Sequence, residues 1–424
     1  MSLTTDKHRF TRMKKGWNLV RIGDVCQMKP SKAEARELLN GSDMVSFVPM
    51  KNLGVCSKSI VLTDDRKLSE VAGSYTYFAD GDVLLAKITP CFENGKLGIA
   101  SGLTNSIGFG SSEYIVFRCS LNIKPELLFY FLSQDTFRGA GTRVMSGAVG
   151  HKRVPKDFIA STEIPLPSLS EQDRIVAILD EAFAAIETAT ANTKKNLANA
   201  RELFDSELNR VFSQKGEGWV EKRLGDVANT SLGKMLDKKK NLGELRPYLR
   251  NVNVRWFEFD LDDMKQMRIL PDEHEKYSAI RGDVLICEGG YPGRAAIWSS
   301  DAPVYFQKAL HRVRFTNPAY TEWFLYFIHH LDSAGKLKQY FTGAGIQHLT
   351  GKVLKQILIP LPPPLKALEL SASFRQAKIM VDELTVVGHR KLAALTELKQ
   401  SILQKAFTGE LTADLDKVIK KAIH

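Results

Sequence analysis

The chain has 424 residues, of which 44% are hydrophobic and 25% charged, enough to bury ordinary cores and to divide into more than one domain. No apolar run approaches the ~18 residues of a membrane span, residues 1–15 carry no apolar signal core, and five scattered cysteines lack metal or redox spacing, so the expectation is a reduced, cytoplasmic protein. A formal charge of +11 with a pI near 9.2 points toward an anionic partner.

Taken from the N-terminus, Gly16-Trp17-Asn18-Leu19-Val20-Arg21-Ile22-Gly23-Asp24-Val25 reads as a turn leading into a strand. Short β-rich runs follow between turn residues: Ile60-Val61-Leu62, Asp82-Val83-Leu84-Leu85-Ala86 and Tyr114-Ile115-Val116-Phe117-Arg118. In Gly81-Asp82-Val83-Leu84 the aspartate reads as a turn residue feeding a buried strand, not as a catalytic acid. A short helix is predicted over Pro125 to Ser133, and Ile164-Pro165-Leu166-Pro167 closes the region as an edge or terminating strand.

From Ser168 to about Phe212 the period changes, with no proline or glycine. Apolar or small residues at Ile175, Leu179, Phe183, Ile186, Thr190, Thr193, Leu197, Ala200 and Phe204 make the narrow seam of a two-helix coil. Ser168 and Glu171 fit a capping box at its start. At 1.5 Å per residue the rod would be roughly 65 Å long.

Then the whole paragraph is written again. Gly218-Trp219 through Arg223-Leu224-Gly225-Asp226-Val227 repeats the opening, and Gly282-Asp283-Val284-Leu285 repeats the turn. A helix over Thr321 to Leu331 repeats the first, Thr342-Gly343-Ala344 repeats Ser146-Gly147-Ala148, and Ile359-Pro360-Leu361-Pro362 repeats the close. A second rod runs from Pro364 to about Phe407, its seam read as Met380, Leu384, Val387, Leu395, Leu398, Ile402 and Ala406, with Gly388 a point of local irregularity. Two copies of one domain imply two related but non-identical sites. The fold class is α+β: two β-rich domains with two long helices forming an antiparallel coiled coil, an internal duplication of pseudo-twofold symmetry. The boundaries expected are 1–167, 168–214, 215–363 and 364–424.

The motif Ile164-Pro165-Leu166-Pro167-Ser168-Leu169-Ser170-Glu171-Gln172-Asp173-Arg174-Ile175-Val176, followed by a long helix, resembles the start of the helical region in specificity subunits of Type I restriction–modification systems. The duplicated openings, the Gly-Asp-Val-Leu turns and the chain length resemble that family too. The second copy departs from the pattern, with Lys366-Ala367-Leu368-Glu369 in place of Glu171-Gln172-Asp173-Arg174.

The resemblance implies a DNA sequence-recognition subunit. Each of two target recognition domains reads half of a split, asymmetric double-stranded site, and the helical pair sets the spacing and docks two adenine methyltransferase subunits. S-adenosylmethionine, ATP and Mg belong to the partner modification and restriction/translocase subunits, not to this chain. No membrane is involved.

Chemistry of the chain's own finds no support. Phe341-Thr342-Gly343-Ala344-Gly345 has the spacing of an S-adenosylmethionine loop, but no apolar strand leads into it and no Asn/Asp-Pro-Pro-aromatic segment accompanies it. Asp65-Arg66-Lys67 and Glu397-Leu398-Lys399 have the local spacing of a metal-dependent nuclease, but neither has a suitable Pro-Asp upstream and the second lies on a predicted coil. No phosphate-binding Gly-Lys-Ser/Thr loop occurs. The expectation is a non-catalytic subunit.

Candidate DNA contacts lie in loops at equivalent places of the two copies, where Arg and Lys suit guanine edges or phosphates and Asn or Gln adenine edges. After Gly-Asp-Val-Leu these are Lys87, Asn94 and Lys96, then Tyr291 and Arg294; after the Ser/Thr-Gly-Ala turn they are His151, Lys152 and Arg153, then Gln347, His348 and Lys352. Arg250, Asn253, Arg255 and Lys308 join them from mixed basic and amide runs; Lys238-Lys239-Lys240 is the one compact basic run. A competing reading remains open, a coiled-coil scaffold whose basic domains bind protein, and so does a related system that cuts on both sides of its site.

Overall fold

The computed structural model describes residues 14–148, 150–237 and 241–413; the Lys238-Lys239-Lys240 run and the end of the C-terminal segment lie outside them. The chain forms two compact units, Met1–Asn192 with Lys391–His424, and Thr193–Arg390. The division falls inside both rods, so each unit holds one β-rich body and one half of each long helix.

In the first unit the strands are β1 (Asn18–Arg21), β2 (Cys26–Met28), β3 (Met44–Val48), β4 (Asp65–Lys67), β5 (Thr76–Ala79), β6 (Val83–Ala86), β7 (Leu97–Ile99), β8 (Ile107–Gly110), β9 (Tyr114–Cys119) and β10 (Glu163–Leu166). They pair in the orders β1-β10, β2-β9-β6-β7 and β4-β3-β8-β5. The second unit holds β11 (Val220–Arg223), β12 (Ala228–Leu232), β13 (Glu244–Leu249), β14 (Lys265–Ile269), β15 (Ser278–Ala279), β16 (Val284–Cys287), β17 (Ala295–Ile297), β18 (Val304–Phe306), β19 (Leu310–Phe315) and β20 (Leu358–Leu361). Their orders are β11-β20, β12-β19-β16-β17 and β14-β13-β18-β15, the same topology strand for strand. The duplication seen in the motifs is a duplication of the fold.

Each Ile-Pro-Leu strand closes its body by pairing antiparallel with the strand after the opening tryptophan, Leu19 opposite Pro165 and Glu221 opposite Pro360. A two-stranded ribbon tolerates these prolines because their missing N–H groups face no third strand. Gly81 and Gly282 sit at φ 87° and 92°, the left-handed turn that glycine adopts without a Cβ penalty. The next residue is a turn residue, as read: Asp82 Oδ2 accepts the Ala79 N–H, and Asp283 Oδ2 the Ile280 N–H, both at 2.8 Å.

Four local readings change. Ile22–Val25 and Leu224–Val227 form a single helical turn rather than a strand. Ile60-Val61-Leu62 is extended loop, with Val61 and Leu62 exposed and no ladder partner. At the start of the first rod the Ser168 hydroxyl pairs with Ser170, and Glu171 turns to Lys14 and Thr412, so no capping box forms. The second rod's seam holds only in its last turns, where Ala406 is buried and Leu395 and Ile402 half-buried. Earlier it is buried along a neighbouring stripe, with Phe374 buried and Val381 half-buried while Met380, Leu384, Val387 and Leu398 are exposed.

The rods are Leu169–Gln214 and Pro364–Thr408, each an unbroken helix. In the first unit Ile175 and Leu179 share a core with Leu403, Ala406 and Phe407, and Phe407 meets Phe131 edge-on at 5.3 Å. In the second, Phe204, Leu208 and Phe212 share one with Ala367 and Phe374, and Phe374 lies 5.3 Å from Tyr326. Early residues of one helix meet late residues of the other, so the pair is antiparallel. Each fully buried aromatic contributes about 1.5–3 kcal/mol, so each rod is anchored by the body it touches.

Candidate functional site

The two loops singled out in each copy are brought together by the same backbone bridge. In the first unit Val154 N–H donates to Lys87 O and Thr89 N–H to Lys152 O, both at 2.9 Å, while Arg153 and Ser146 exchange hydrogen bonds of 2.8 and 3.1 Å. In the second, Leu349 N–H donates to Glu288 O at 2.7 Å, and His348 and Thr342 exchange bonds of 2.8 and 2.9 Å. The turn before the following strand joins from the same side: Lys87 N–H donates to Glu113 O, and Glu288 N–H to Ala309 O, both at 2.9 Å. Structural equivalence therefore places Lys87 with Glu288, Glu113 with Ala309, and Arg153 with His348.

The side chains on this shared frame differ in chemistry. In the first unit Arg153 forks onto Glu113, with Nε 2.9 Å from Oε2 and Nη2 2.6 Å from Oε1. Lys87 Nζ donates to Ser112 O at 2.9 Å and stands 4.0 Å from the same carboxylate. The Arg153 hydrogen bonds, opposed in part by desolvation, hold the Glu113 carboxyl below its usual range. His151 and Lys152 are exposed beside them, as is Asn94 on the loop that leaves β6, whereas Lys96 Nζ is drawn inward to Met50 O at 2.7 Å.

In the second unit the His348 ring packs against Gly289, where a β-carbon would stand 2.9 Å from Nδ1. Half-buried Glu288 makes no side-chain hydrogen bond or ion pair among the described residues. Arg294 donates to Asn251 O at 2.9 Å with its guanidinium 5.2 Å from the centre of the Tyr291 ring, and Tyr291 is 47% exposed. Gln347 and Lys352 are exposed on the bridge loop and on the helical turn that follows.

The remaining candidates make none of the bridge's backbone bonds, although Lys308 precedes Ala309 and Arg250 and Asn253 flank Asn251, whose amide donates to Gly289 O at 3.1 Å. Arg250 Nη2 binds Asp263 at 2.6 Å, Asn253 is buried with its amide donating to Asp260 O, and Arg255 binds Asp260 at 3.2 Å. Lys308 is exposed and borders an open cleft of about 700 Å³ lined also by Asn229, Ser231, Lys276, Tyr277 and Arg312. Glu113 and Glu288 escaped the sequence reading, whose candidates were basic, amide, histidine and tyrosine side chains and no carboxylate. Aligning the residue before each strand Tyr114–Cys119 and Leu310–Phe315 would have exposed the first as a difference between copies.

Among the described residues no three His, Cys, Asp or Glu side chains cluster to hold a metal ion, and no helix is long and apolar enough to cross a membrane.

Residues 14–198 and 216–404 each match the Type I restriction modification DNA specificity domain. The chain is 36% identical over 212 residues to the specificity subunit of the Type I restriction enzyme EcoAI and 33% identical over 209 to that of EcoEI, both from Escherichia coli. Those stretches cover 48% and 49% of this chain but only 35% and 34% of the two relatives, so the match spans about a third of their length. Among solved structures, a chain described in work on complex assembly and conformational transition of the type I R-M system superposes with a TM-score of 0.76 at 21% identity, covering 93% of this chain and 98% of that one.

Proposed function

Because the chain belongs to the Type I restriction modification DNA specificity domain family, matched twice along its length, we propose that it is the sequence-reading subunit of a restriction–modification complex. Each β-rich body, within 1–167 and 215–363, acts as a target recognition domain for one half of a split, asymmetric site on double-stranded DNA. The observation that carries this reading is the pair of bridged loops: one backbone frame, two different sets of side chains. A duplicated frame suits two half-sites, and unlike side chains suit unlike sequences.

The helical segments 168–214 and 364–424 set the spacing between half-sites and dock two adenine methyltransferase subunits, with a restriction/translocase subunit joining them. Exposed Met380, Leu384 and Val387 on the second rod supply apolar surface for such docking. The chain itself is an address reader without chemistry of its own; S-adenosylmethionine, ATP and Mg serve the partner subunits. The complex works on chromosomal DNA in the cytoplasm.

The test is adenine-methylation mapping of host DNA by long-read sequencing, with and without this chain, in the presence of its methyltransferase partner. A split motif that needs this chain, and that loses one half when one domain is exchanged, supports the reading. Unchanged methylation from a chain that still binds the partner overturns it in favour of a scaffold.

A further inference from the structure

The two bridges differ most in one ion pair. Arg153 of the first unit has its Nε–Nη2 edge occupied by Glu113, and the residue itself is exposed. Its Nη1 makes only a 3.3 Å bond to His151 O. The guanidinium therefore stands fixed with its Nη1–Nη2 edge turned from the carboxylate. At the equivalent places the second unit has His348 and Ala309, which cannot build this pair.

Resting on the DNA-reading role above, we propose that the Glu113-held Arg153 reads a guanine in the half-site of the first domain, and that the second domain has no counterpart to this contact. Guanine presents two acceptors, O6 and N7, on its major-groove edge, and a guanidinium edge donates to both at once. A phosphate offers the competing anionic target, but a carboxylate bonded to the same arginine repels phosphate and lowers the local positive charge. Glu113 therefore weakens this arginine as a backbone anchor while holding it in one rotamer for a directional contact. Lys87, 4.0 Å from the same carboxylate, helps keep it ionised. His348 lacks a fork and packs on Gly289, so the second half-site is read through other chemistry.

The experiment uses the full chain assembled with its modification partner and double-stranded DNA libraries randomised in one half-site at a time. Wild type is expected to prefer guanine at one position of the half-site read by the first domain. Arg153→Ala should cut that preference roughly tenfold or more, in line with the worth of a bidentate base contact. Arg153→Lys should restore it only in part, because one ammonium cannot keep the two-bond grip of Glu113 and present a fixed pair of donors to the base as well. Glu113→Gln should weaken the preference while raising binding to unrelated DNA. In all three variants the motif of the second half-site stays as in wild type, which also reports correct folding.

The proposal is overturned if Arg153→Ala leaves every base preference intact, or if it weakens binding to all sequences equally, the mark of a phosphate contact. A wild-type complex that shows no sequence preference in either half would instead overturn the DNA-reading role itself.

Discussion

Leu197 fills the space where a β-carbon on Gly388 would stand, its Cδ2 and Cγ lying 2.6 and 2.9 Å from that point. The glycine costs about 1 kcal/mol of helix propensity relative to alanine, yet the second rod runs through it unbroken. The close approach of the first rod is what the missing side chain permits.

Gly388→Ala is therefore expected to lower stability, because overpacking costs ~1–3 kcal/mol and exceeds the propensity gain. Adding Leu197→Ala should recover part of the loss. Thermal unfolding of the full chain checks this; a higher Tm for Gly388→Ala alone would show that the helices part without penalty.

Asp82 sits almost fully buried beneath a fork from Arg118, with bonds of 2.9 and 2.8 Å, and Asp283 repeats it beneath Arg314 with two of 2.7 Å. Asp82 also holds the Ala79 N–H, while Arg118 keeps Glu34 as a second partner and is partly exposed. Asp82→Ala should therefore cost roughly 1.5–3 kcal/mol, the loss of charge-assisted hydrogen bonds rather than of a sealed pair. Hydrogen exchange should quicken in β5 and β6 while β16 and β19 keep their protection, and Asp283→Ala should reverse the pattern. Equal loosening of both units would refute the local role.

His311 and His329, both in the second unit, are pushed down to about 4, each chiefly by burial. His311 Nε2 is bonded to Leu349 O, and Lys378 and His330 further depress His329. Each must stay neutral when folded but takes up a proton near 6.5 when unfolded. The unfolded state thus binds more protons as pH falls, and stability present above about 6.5 is lost progressively toward 4, on the order of 3 kcal/mol per histidine. In the first unit the described histidine is the exposed His151. Acidification from pH 7.5 to 5 should accelerate exchange in β19 well before β9; a uniform response would argue against it.

Asn94 and Lys96 are two residues apart but differently spent. Asn94→Ala should leave stability unchanged within about 0.5 kcal/mol, since it is exposed. Lys96→Ala loses the bond to Met50 O and should cost roughly 1.5–3 kcal/mol. Urea unfolding separates them; comparable losses would show that Lys96 is not an internal strut.

The sequence alone determined the duplication, the β-rich bodies, the turn role of Asp82 and Asp283, and the existence of two antiparallel rods. Those features are written in local signals: left-handed glycine turns, alternating prolines, and the change of period at Ser168. Which stripe of the second rod is buried was decided only by tertiary structure. Residues three and four apart mark two adjoining stripes equally well, and contact with Leu197 and the Phe212 cluster chose the one through Phe374, Val381 and Gly388. The candidate site divides the same way. Its loops were legible as equivalent places in a repeat, but the bridge joins residues far apart in the chain, Ile88 to Arg153 and Gly289 to His348. Glu113 gains its meaning only where that bridge sets it against Arg153, because a hydrogen-bonded pair forty residues apart leaves no trace in either local sequence.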